Sequence, residues 1–194
     1  MAQKRADMIS ETRAKLIKAA REAFATKGYA ESSMDDLTAQ AGLTRGALYH
    51  HFGGKKGLLE AVIAQIDEEM TERLSVIIEQ ADSPWEGFID ECIAYIKMAL
   101  EPEVQRIVLL DGPAVLGDPS RWPSQHSCIV STQRSIQKLI EDGVVRQVDA
   151  LATARLISGA LLGVSLWIAS ASDPQSASEK AIQGFQALTT GLLL

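Results

Sequence analysis

Cysteine is scarce in this chain of 194 residues: Cys92 and Cys128 stand far apart, outside any C-x-x-C pair. Without paired Cys/His spacing, neither a structural zinc nor a disulfide framework is expected, which leaves two free core thiols. Catalytic patterns are missing as well. There is no G-x-S-x-G, no phosphate-cradling glycine loop, and no H-E-x-x-H or repeated E-x-x-H pair, so the expectation is a protein that is not an enzyme and has no cofactor and no metal. The opening residues, MAQKRADMI, lack the apolar stretch of a signal peptide, which predicts a cytoplasmic protein. Residues 156–172 carry no charge, but Ser158, Gly159, Gly163, Ser165, Ser170 and Ser172 dilute that run. A buried helix is expected there and no membrane span. No stretch alternates apolar and polar residues long enough to mark a half-buried strand, and no internal repeat is evident. What remains is an all-α chain.

Charge is unevenly spread. Residues 1–57 carry ten Lys/Arg against six Asp/Glu, whereas residues 58–194 carry nine against nineteen, within a net charge of −6. A basic end on an acidic body points to a nucleic-acid-facing N-terminus. The length allows one large or two small domains, and the boundary is expected at 54/55.

Within the basic part, the run SMDDLTAQAGLTRGALYHHFGGKKGL (residues 33–58) holds the densest information. Ser33 with Asp36 three residues on opens a helix, Met34, Leu37 and Ala41 give its apolar stripe, and Gly42 ends it. Thr44 caps a second helix from Arg45, with Leu48 and Phe52 on its inner side. Gly46, Ala47 and His50 lie opposite, flanked by Arg45 and Tyr49, and this outer face carries no carboxylate. Two short helices at a tight turn form a helix-turn-helix, whose second member enters a DNA major groove. Small residues allow close approach, the Ala47 methyl suits a thymine methyl, Arg45 reaches a guanine edge or a phosphate, and Tyr49 and His50 suit phosphates. Lys55 and Lys56 follow at the start of another helix, where ammonium groups and the helix dipole favour a phosphate.

The segment GLTRGALYHHFGGKKGL resembles the recognition segment of the tetracycline-repressor (TetR) family of bacterial transcription regulators. The likeness rests on Gly42, Thr44, Leu48-Tyr49-x-His51-Phe52, Lys55 and Leu58. It extends to a first helix read as Ala14 to Lys27, followed by Gly28-Tyr29 and a Ser-x-Met start. The resemblance implies that Ser33, Thr44, Arg45, Gly46, Tyr49, His50 and Lys55 meet DNA. Gly53-Gly54 and Gly57 depart from the usual pattern and suggest a flexible joint.

Further helices are expected at Lys55 to about Ala81, from Pro84 to near Glu101-Pro102, at Val104–Leu110, at 124–142, at 149–171 and at 174–192. Between them, residues 111–123 are expected to be irregular, with three prolines and two glycines. The last two helices are apolar enough to be an interface. Leu161, Val164, Ile168, Ala181, Phe185 and Leu188 are the residues expected to form a four-helix contact with a second copy. Such a homodimer would place two recognition helices about 34–36 Å apart on a palindromic operator.

In the middle of the chain, Trp85, Phe88, Cys92, Tyr95, Leu109, Trp122, Ile129 and Trp167 are candidates to line an apolar cavity, together with Met98. His126, Gln125, Gln133 and Arg106 are candidates to orient a ligand there. The resemblance implies a small-molecule effector in this region and release from DNA when it binds. An activator of the same family, or a helical protein-interaction module, are the alternatives.

Overall fold

The first helix, α1 (Ala2–Lys27), is held by a stripe of Leu16, Ala20 and Phe24, all fully buried. The computed structural model describes residues 2–194, with side chains from Asp7 onward; Lys4 and Arg5, counted in the basic balance, lie outside the described side chains. The helix starts twelve residues before the expected Ala14. Asp7 to Glu11 are exposed, Met8 and Ile9 among them, so no apolar period announces this stretch. A Glu11–Lys15 pair at 2.8 Å and the Thr12 hydroxyl donating to the Met8 carbonyl continue the helical spacing instead.

Two short helices follow, α2 (Met34–Gln40) and α3 (Arg45–Phe52). Leu37 of α2 and Leu48 of α3 are fully buried with the α1 stripe, as are Leu58 and Leu59 from the start of the long α4 (Lys55–Gln80). Each such leucine contributes roughly 1.5–3 kcal/mol by leaving water. The apolar face of α4 then continues through Val62, Ile63, Ile66 and Met70 into the second half of the chain. One helix therefore belongs to both parts.

That second half comprises α5 (Pro84–Met98), a π-helical segment (Val104–Asp111), α6 (Gly112–Leu116), a 3₁₀ turn (Pro119–Arg121), α7 (Pro123–Glu141), α8 (Ala150–Ser170) and α9 (Pro174–Thr190). The expected irregularity of 111–123 is only half right. Pro113 has no N–H to give, yet it follows directly on the π segment as the second residue of α6. The chain runs from the π segment into α6 without a break, the Gly112 N–H reaching back five residues to the Ile107 carbonyl. The helix ends at Gly117, whose φ is +88°.

By length and composition α8 is apolar enough to cross a membrane. Yet Ala154, Ile157, Leu161, Ser165 and Ile168 form a buried inner face, and the helix packs against α7 and α9. Helix α9 stops short of the expected 192. The tail turns back instead, with an isolated antiparallel bridge between Val145 and Leu193 and the Arg146 N–H donating to the Leu192 carbonyl at 3.0 Å.

Candidate nucleic-acid interface and interior cavity

Both short helices are capped from within. The Ser33 hydroxyl accepts the Asp36 N–H at 3.0 Å, and the Thr44 hydroxyl accepts the Ala47 N–H at 3.2 Å. Between them Gly42 takes φ +66°, which sets the tight turn. Helix α1 fixes α3 from behind: the Arg13 guanidinium donates to the His51 carbonyl at 3.0 Å and lies 4.6 Å from the Phe52 ring centroid.

With Leu48 anchored, the opposite face of α3 points outward. Arg45, Gly46, Tyr49 and His50 are exposed, Tyr49 by 52%, with Ala47 half-buried among them. Ser33 and Thr44 are exposed beside that face. Arg45 meets the Asp35 carboxylate at 3.3 Å, a neighbour that helix-by-helix reading missed because it lies on α2. Both side chains stand in solvent, and such pairs hold by about 0–1 kcal/mol, so Arg45 is readily exchanged to another anion.

The joint to α4 takes a path that only glycine follows without strain. Gly53 and Gly54 adopt φ +70° and +137°, and Gly54 is buried. A Cβ at Gly57 would overlap the Phe52 carbonyl oxygen. These glycines are required by the path of the chain. Helix α4 starts at Gly54 without a side-chain cap, so its first N–H groups are free to meet an anion. Lys55 lies over the Tyr29 ring, 4.2 Å from its centroid, and donates to the Ala30 carbonyl. Burial lowers its pKa, while Asp111 and Glu31 pull the other way. Lys56 is exposed alongside.

Two links tie this N-terminal part to the rest. Arg21 of α1 makes paired hydrogen bonds of 2.6–2.7 Å to Glu69 of α4 and to Glu103. At the α1–α2 turn the Tyr29 N–H donates to Asp111 at 2.7 Å, and Arg106 meets the same carboxylate at 3.3 Å. Arg106, expected to orient a ligand, is thus engaged at this junction.

A cavity of about 460 Å³ opens between α4, α6 and α7, bordered by Glu60, Ile63, Ala64, Asp67, Leu116, Trp122, Pro123, Ser124 and Ser127. Of the expected lining residues, Trp122 borders it. Phe88, Cys92 and Leu109 are in the core, Trp85 and Ile129 are half-buried against it, and Tyr95 lies within electrostatic reach of Asp67 and Cys128. His126 is exposed and Trp167 is 48% exposed, so solvent-facing positions correct both expectations. Gln125 donates to the Ser158 carbonyl at 3.4 Å, and Gln133 is half-buried on α7. Reading α4 for its apolar stripe alone hid Glu60, Ala64 and Asp67, which share its other side at i, i+4 and i+7.

Glu91 on α5 is mostly buried, and burial pushes its carboxyl up to about 6 from the ordinary 4.5. The folded chain therefore holds a proton that the unfolded chain has released, and stability falls as pH rises between those values. Glu91→Gln is expected to abolish that slope and to stabilise the protein by about 1–2 kcal/mol above it. Urea midpoints of the two proteins would then coincide in acid and separate at neutral pH; coincidence at both would sink the idea.

The outer side of α8 and α9 is apolar too. Leu156 (75% exposed), Gly159, Gly163 and Trp167 line one stripe of α8, with Gly184 and Leu188 (76% exposed) on α9. A Cβ at any of these three glycines would meet nothing within 4 Å. Leu161, Ile168, Ala181 and Phe185 are instead buried in the chain's own core, which removes them from direct contact with a second copy. Val164 is half-buried, and Leu188 alone of the six is fully outward.

Comparison with known proteins finds matches to both parts of the chain. The family described as "Bacterial regulatory proteins, tetR family" matches residues 16–62, and "Tetracyclin repressor-like, C-terminal domain" matches residues 85–192. The chain is 24% identical to the HTH-type transcriptional regulator UidR of Escherichia coli strain K12 over 192 residues, covering 94% of this chain and 93% of that protein. To the HTH-type transcriptional regulator SrpR of Pseudomonas putida it is 30% identical over 116 residues, which span 58% of this chain and about half (52%) of SrpR. A crystal structure of a TetR-family transcriptional regulator from Pectobacterium atrosepticum is 53% identical, with a TM-score of 0.91 and 97% of both chains covered.

Proposed function

This chain belongs to the tetracycline-repressor family of transcriptional regulators, and on that premise we propose that it is a cytoplasmic, homodimeric repressor that a small molecule releases from a palindromic operator. The observation that carries the DNA-reading part is the outward face of α3. It presents Arg45, Gly46, Ala47, Tyr49 and His50 on a helix locked from behind, beside Ser33, Thr44 and the uncapped start of α4 with Lys55 and Lys56. Arg45 reads a base edge or grips a phosphate, the two small residues let the axis approach, and the hydroxyls and lysines position the helix on the backbone.

The outward stripe of α8 and α9 supports the dimer. Small residues at Gly159, Gly163 and Gly184 let helices of a second copy come close, and Leu156, Trp167 and Leu188 leave water when they do.

The cavity supports the effector. Ligand in it would touch the first half of α4 directly, next to Leu58 and Leu59, which join the N-terminal core. An effector changes DNA affinity only by preferring one of two arrangements. The α4 path and the Arg21–Glu69 link make the N-terminal part follow α4, while Glu103 and Asp111 tie it to the π segment.

Selection of duplexes from a random pool tests the reading. The expected winner is an inverted repeat bound by one dimer, with log affinity falling against log salt at a slope of about −5 for the six cations that Arg45, Lys55 and Lys56 supply to a dimer. No enrichment of any sequence would end the proposal.

A further inference from the structure

We infer that the cavity between α4, α6 and α7 takes an amphipathic organic cation. The inference rests on the effector reading and names the chemistry of that site. The volume of about 460 Å³ suits a small aromatic ligand, since such sites run about 300–1,000 Å³. Ile63, Leu116 and Trp122 supply apolar wall, and the carboxylates of Glu60 and Asp67 stand on the same side of α4.

Asp67 decides the sign of the ligand's charge. The nearby Ser124 hydroxyl favours its charged form, and among the described residues no lysine, arginine or histidine forms an ion pair with it. Burial accordingly pushes its carboxyl above the ordinary range. A neutral ligand would take still more water from this carboxylate, and an anionic one would add repulsion from two carboxylates. A cation removes both costs.

Trp122 decides the rest. Its indole lines the cavity and offers an aromatic surface for an aromatic or cationic group. The combination describes an aromatic amine or quaternary ammonium compound, seated with its charge toward Asp67 and its rings on Trp122.

Calorimetric titration of the full-length protein with three near-isosteric probes tests this: 1-naphthylmethylamine, 1-naphthylmethanol and 1-naphthoate. The amine is expected to bind at least tenfold more tightly than the alcohol, and the carboxylate most weakly. In Asp67→Asn the preference of amine over alcohol is expected to shrink to under about threefold. Equal binding of amine and alcohol by the native protein, or no binding of any probe, overturns the inference, and this measurement does not depend on how the variant folds. Release of the selected duplex is followed separately. Amine that binds with the expected preference but leaves DNA bound upholds the cation site and defeats the effector reading.

Discussion

Arg45→Glu is expected to lower affinity for the selected duplex at least a hundredfold while leaving thermal stability nearly unchanged. The residue stands in solvent on the first turn of α3, and its one ion pair, with Asp35, is also exposed. Losing that pair costs little, because exposed pairs contribute about 0–1 kcal/mol. At the duplex the loss is larger: a good base-edge contact is worth about 1–3 kcal/mol, and a glutamate adds repulsion from phosphates. Each dimer loses the contact twice. Arg45→Ala is expected to fall between the native protein and the glutamate variant, and Tyr49→Phe to cost less, since only a hydroxyl is removed. Fluorescence anisotropy at two salt concentrations reads both the affinity and the slope. Binding within threefold of native by Arg45→Glu would mean that α3 is not the reading helix.

The second large effect is expected at Arg21. Its guanidinium spans Glu69 of α4 and Glu103, and removing it leaves two carboxylates facing each other at the junction of the two parts. Breaking a fully buried pair costs about 3–5 kcal/mol; here both glutamates keep contact with water, and about 2 kcal/mol is expected for Arg21→Met. Arg21 holds the Glu69 carboxyl below its ordinary range. The stabilisation is therefore complete above the ordinary carboxylate pKa and is lost as pH falls through the lowered one. Adding Glu69→Gln and Glu103→Gln to Arg21→Met is expected to restore more than half the loss, since neutral partners have nothing to repel. A urea midpoint that moves by less than its error in Arg21→Met would show that the link carries no stability. Operator affinity is expected to weaken in the same variant, because the orientation of α3 relative to α4 is then less restricted.

The N-terminal helices were legible because their signals are local. Ser33 and Thr44 act within three residues of themselves, and the Leu37 and Leu48 faces follow from helical spacing. The same spacing misled at the other end of the chain. On α8, residues 157, 161, 165 and 168 form one stripe and residues 156, 159, 163 and 167 another, and both are apolar or small. Periodicity groups residues into faces without saying which face meets the chain's own α7 and α9. The first stripe is in the core and the second is outward.

The role of Gly42 is legible in the sequence, and the requirement at Gly57 is not. A turn glycine is recognised from its flanks, but the need for hydrogen at Gly57 arises from the Phe52 carbonyl packed against it. The start of α1 shows no apolar period, since Asp7 to Glu11 are exposed, whereas the helix expected at Val104–Leu110 is present and only its π spacing is not written in its sequence.

By itself the sequence determined that the chain is helical, that its basic end carries a capped helix-turn-helix, and which side chains of α3 stand away from Leu48. Those facts depend on contacts three or four residues apart, which composition and spacing encode directly. Only the tertiary structure decided which apolar stripe is left for a partner, how Arg21 and Asp111 bind the two parts, and that Glu60 and Asp67 share a cavity with Ser124 and Trp122. Those neighbours lie tens of residues apart, and only the packing of α4 against the later helices brings them together.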